Sequence, residues 1–82
     1  MRVNVYDADV RERVMVDHAT PKNAPDVTFT CIEFLVGDPV EHTPGDDDSS
    51  VVRFWYSNTH THGLLRKAFT KALELLDENP PN

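Results

Sequence analysis

The sequence predicts an α+β domain: an antiparallel sheet of about four strands packed against one C-terminal amphipathic helix, in the order ββββα over residues 1–82. Three observations carry this prediction. Short runs rich in β-branched and aromatic residues alternate with period two, or nearly so, at 2–6, 10–18, 27–36 and 50–57. Leu65, Phe69, Ala72 and Leu76 recur at helical spacing near the end of the chain. Finally, 82 residues bury only about 60–65% of what the unfolded chain exposes, which leaves room for one thin core and no second domain.

The first strand rests on Val3 and Val5, which fall on one face between Arg2, Asn4 and Tyr6. Asp7-Ala8-Asp9 then turns the chain, so the first two strands are expected to pair as a hairpin. In the second strand Val10, Val14 and Val16 share a face with Glu12, and Arg11, Arg13 and Met15 share the other. Residues 20–26 hold two prolines and little to bury, and form a loop.

The third strand, 27–36, is the most apolar stretch. Its pattern changes phase, from Val27, Phe29 and Cys31 to Ile32, Phe34 and Val36. Either the strand is covered on both sides, or a β-bulge near Cys31 re-aims its side chains. A long connection follows, through Pro44-Gly45 and the acidic Asp46-Asp47-Asp48, and its length marks it as a candidate functional loop. The fourth strand sets Val52, Phe54 and Tyr56 on one face and Val51, Arg53 and Trp55 on the other.

The helix is expected to run from about His62 to Glu78, with Thr61 as its N-cap and Pro80-Pro81 as its stop. A single helix covers one face of a sheet. The second face, carrying Val51, Arg53 and Trp55, is therefore expected to meet another copy or a partner protein, unless the N-terminal strands or the long loop curl over it. On that reading a charged residue in place of Trp55 leaves a folded protein that neither self-associates nor binds.

Charge narrows the partners. Eight Lys and Arg against fourteen Asp and Glu give a net charge of −6, which opposes nucleic-acid binding through phosphates. No apolar stretch approaches the length of a membrane span, and Arg2, Asn4 and Asp7 interrupt any leader-like run, so a cytoplasmic location is expected. The lone Cys31 lies in the most apolar strand and reads as a buried thiol in a reducing compartment.

No cofactor and no catalytic residue is assigned. His60-Thr61-His62 has the spacing of a zinc pair, yet no Cys-x-x-Cys or His-Glu-x-x-His accompanies it. The acidic triplet lacks the glycine and distant glutamate of an EF-hand. An alternative site is the start of the helix, where Thr59, Thr61, His62 and Gly63 precede Arg66 and Lys67 and could receive a small anion or nucleotide. The helix is also charged against its own dipole, basic early and acidic late.

At residues 1–6 (Met-Arg-Val-Asn-Val-Tyr), again at Glu41-His42-Thr43-Pro44 leading to Asp46-Asp47-Asp48-Ser49, and then at Arg53-Phe54-Trp55, the chain resembles small hypothetical proteins encoded by phages of actinobacteria. The order of segments agrees over most of the length. It departs after Trp55, where His60-Thr61-His62 replaces a connection richer in proline or glycine. These motifs have no catalytic meaning, so no functional residue is carried over. The resemblance implies a context, since small acidic phage products often act stoichiometrically by binding a host protein or sequestering a signalling molecule. The expectation is a non-catalytic, self-associating interaction protein or inhibitor of a host factor, acting in the host cytoplasm.

Overall fold

The apolar run around Ile32 forms the central strand of the sheet. A computed structural model describes residues 1–37, 42–46 and 50–82. Strand β1 spans Val10–Ala19, β2 Phe29–Val36 and β3 Val51–Tyr56, and helix α1 spans Thr59–Glu78. The strands form one antiparallel sheet in the order β1-β2-β3. Val14 stands opposite Phe34 and Phe34 opposite Val52; Val16 stands opposite Ile32 and Ile32 opposite Phe54. Those pairs make one face of the sheet, and α1 follows β3 onto it.

Three strands form the sheet among the described residues, where the sequence suggested about four. Residues 1–6 lie outside the ladder, with Met1, Val3, Val5 and Tyr6 exposed. Two valines bury too little to offset the ordering of a further strand. A short 3₁₀ turn at Asp7–Asp9, closed by the Asp9 amide on the Tyr6 carbonyl at 2.7 Å, leads into β1 in place of the expected hairpin. The class is α+β, and among the described residues β1 is an edge strand of the sheet.

The phase change in the third predicted strand resolves as burial on both sides. β2 runs without a bulge; Cys31, Glu33 and Leu35 are fully buried on one face, and Ile32, Phe34 and Val36 are half-buried on the other. The irregularity in pairing falls in β1 instead, between Val10 and Val14.

Helix α1 begins earlier than its hydrophobic pattern. Asn58, not Thr61, is the N-cap: its side-chain oxygen accepts from the Thr61 amide at 2.8 Å. The sheet holds the helix through one aromatic cluster. The Phe69 ring lies 5.6 Å from Phe34 and 5.3 Å from Phe54, and these two lie 5.8 Å from each other. Such pairings favour edge-to-face contact beyond simple burial. Nearer the helix start, His62 meets Tyr56 at 5.4 Å. From Thr70 onward every helical residue is exposed. Nine residues, Thr70–Glu78, span about 13 Å of helix that has no sheet beneath it, and the molecule is accordingly elongated, 50 × 32 × 22 Å.

Candidate functional site

The face of the sheet turned away from α1 is built around a carboxylate. Register places Glu33 between Met15 on β1 and Arg53 on β3, with its side chain fully buried. An uncompensated buried carboxylate costs several kcal/mol, and three donors meet this one. His42 Nε2 donates to Oε2 at 2.7 Å, the Gly45 amide to Oε1 at 2.8 Å, and Arg53 Nε to Oε1 at 3.3 Å. The other end of the Arg53 guanidinium reaches the Asp46 carbonyl. Burial alone would raise the Glu33 pKa; the His42, Gly45 and Arg53 interactions outweigh it and hold the carboxyl below its ordinary value.

These bonds clamp residues 42–46 across the second face. Gly45 has φ +92°, a conformation that favours glycine, and a Cβ there would stand 2.9 Å from Asp17 Oδ2 and push that carboxylate aside. Of the two sequence readings of this face, an outside partner or a cover from the chain itself, the contacts favour the cover at its centre, where residues 42–46 lie over Glu33. Of the residues proposed for an interface, Val51 and Arg53 are half-buried and Arg53 is committed to Glu33 and the loop, while Trp55 at the margin is 44% exposed. The loop's Asp47 and Asp48 lie outside the described residues, and with them most of the acidic triplet.

Cys31 neighbours this cluster, opposite Asp17 and Trp55. It is fully buried. Burial first, then the charge of Glu33, pushes its thiol up, away from the reactive thiolate. A disulfide reagent is therefore expected to leave Cys31 unmodified in the native protein and to modify it completely in denaturant; rapid labelling of the folded chain would refute the packing described for this face.

At the other candidate, the helix start, the groups expected to hold an anion are divided. Thr59 and His62 line a shallow cleft with Thr28, Thr30 and Tyr56. Gly63, Arg66 and Lys67 line a separate groove along the helix, shared with Lys71 and Glu74. The Thr61 amide is taken by Asn58. His60 and His62 both lie within α1, where residues two apart point about 200° apart. They do not face a common ligand. Among the described residues, no three His, Cys, Asp or Glu side chains are grouped to hold a metal ion, and no helix is long and apolar enough to cross a membrane.

Sequence reasoning missed Glu33 as the centre of this face and gave Arg53, one of its donors, to an outside interface. The available signal was one acidic residue inside the most apolar strand, with a histidine and a glycine in the following loop. A strand buried on both faces cannot leave such a residue in water, so it requires partners.

Part of the remaining surface is apolar. Val10, Val14 and Val16 of β1 are at least half exposed on the helix side of the sheet, as are Leu64, Leu73 and Leu76 of α1. Fold and surfaces together define a small α+β domain with a clamped polar face and an incompletely covered apolar one. No protein-family model, no curated protein and no solved structure matches the chain.

Proposed function

We propose that the protein acts by binding, without catalysis, and that its working form is an assembly of copies of this chain. One observation carries this reading: the single chain exposes too much surface. Its accessible area is 6878 Å², whereas a compact monomer of 9.3 kDa exposes about 5,000 Å². The excess, about 1,900 Å² per copy, is shared with the extended residues 1–6 and 79–82 and still leaves room for the roughly 800 Å² each partner buries in a standard interface. The radius of gyration agrees, at 14.7 Å against about 12 Å for a compact chain of this length. Among the described residues the fully enclosed apolar side chains are Cys31 and Leu35 alone, so the core is unfinished within one chain.

The resemblance to small actinobacteriophage proteins supports a host protein as the target of the assembled form, in the host cytoplasm. Anion capture at Thr59–Lys67 draws less support, because its groups line two separate grooves.

Light scattering on the eluting protein tests the reading. The expected mass is twice 9.3 kDa or a higher multiple, falling toward the monomer only on dilution. A folded protein that keeps the monomer mass at its highest soluble concentration would remove the basis of the proposal.

A further inference from the structure

Building on that self-association, we infer that α1 is the dimerisation element, and that two copies pair their helices antiparallel about a two-fold axis near Ala72. Three independent features of the helix point to this partner.

The first is a second apolar row. At about 100° per residue, Leu64, Ala68, Ala72 and Leu75 fall within roughly 80° of arc, beside the Phe69 side that meets the sheet. Leu64 and Leu75 are 52% and 45% exposed, and both alanines are exposed. The row has no use inside the chain. With the axis near Ala72, the alanines at 68 and 72 let a second helix approach closely and Leu75 of each copy fills the space beside Ala68 of the other, while Leu64 lies beyond the overlap.

The second feature is charge. Lys67, Lys71, Glu74 and Glu78 border that row within about 60° of arc. In a single copy Lys71 pairs with Glu74 at 3.7 Å, an exposed contact of small worth, while the first turn has no acidic residue and the last turn no basic one, against the helix dipole. An antiparallel second copy reverses the sign of the problem. With the axis at Ala72, Lys67 comes level with Glu78 of the other copy and Lys71 with Glu74, twice over by symmetry. The dipoles also oppose.

The third is position. The axis falls within Thr70–Glu78, the part of α1 that projects past the sheet. Leu73 and Leu76, 63% and 70% exposed, lie on the same side of the helix as Phe69. In the pair, Leu76 comes level with Ala68 of the other copy, on the flank where that copy's sheet lies and where Val14 and Val16 stand uncovered. The half of the helix lacking a sheet thus meets a sheet lacking half its helix.

Two sets of exposed substitutions test the arrangement without touching the core. E74K/E78K and K67E/K71E each place like charges across the rim, and each alone is expected to weaken association about tenfold or more. Mixed in equal amounts, they should form a heterodimer as tight as the wild type. Cysteine variants then fix the direction. In the antiparallel pair two copies of Ala68→Cys lie about 12 Å apart along the axis, too far for a disulfide. Ala68→Cys mixed with Leu75→Cys should cross-link. Self-linking of Ala68→Cys, or indifference of an associating protein to both charge sets, would overturn the helix assignment and leave the proposed self-association standing. A monomeric wild type would overturn both.

Discussion

Glu33→Ala is expected to unfold most of the protein at neutral pH. The substitution removes the acceptor for His42, the Gly45 amide and Arg53 at once. It leaves Arg53 Nε and the Gly45 amide without the oxygen that receives them. Removing one partner of a buried ion pair costs about 3–5 kcal/mol, and a domain this small rarely has more than about 3–5 kcal/mol in total. Glu33→Gln should be milder, since its amide oxygen still accepts from Gly45 and Arg53. The pair also isolates a pH effect. Because the folded-state pKa of Glu33 lies below the ordinary 4.5, its contribution is complete above that value and disappears as the pH falls through the folded pKa. Urea midpoints of wild type and Glu33→Gln should therefore differ most at neutral pH and converge in acid. A gap that stays constant or widens in acid would mean that the carboxylate is not held in its charged form by this cluster.

The strands and the helix were legible because burial there follows a local period. Val52, Phe54 and Tyr56 alternate with Val51, Arg53 and Trp55 in the sequence, and the sheet keeps that division. The helix was legible from Leu65, Phe69, Ala72 and Leu76, but not its start, since Asn58 caps through one side-chain bond that leaves no trace in hydrophobic spacing. Residues 1–6 misled for a related reason. Alternation of Val3 and Val5 describes an extended backbone equally well whether or not a neighbouring strand accepts it. The clamp on the second face was hidden by range: Glu33 and Gly45 are twelve residues apart, and nothing local in the loop shows that it folds back. Reading the molecule as one helix on one sheet placed the open surface under Trp55. The loop closes the centre of that face, and the helix, gripped near its middle, leaves the opposite one open.

Phe69→Ala should cost α1 most of its order, and the loss should depend on protein concentration. Phe69 carries the ring contacts from α1 to Phe34 and Phe54 at the centre of the sheet, and His62 meets Tyr56 near the helix start. A buried Phe→Ala change costs about 3–5 kcal/mol, and a half-exposed ring such as this one about 2 kcal/mol. An isolated helix of 20 residues is marginal in water, because nucleation is unfavourable and most helical stability comes from packing. Among the described residues α1 is the molecule's one α-helix, so circular dichroism at 222 nm reports it almost alone. At low concentration the signal should fall sharply while the strands around Glu33 persist. At high concentration it should recover, since the row from Ala68 to Leu75 is separate from the Phe69 side and a second copy can still hold it. Phe69→Leu, which keeps an apolar side chain of similar reach, should retain most of the helix throughout. A loss in Phe69→Ala that is equally deep at every concentration would show that the sheet alone orders α1. A signal unchanged even in dilute solution would show that the aromatic cluster does not anchor it at all.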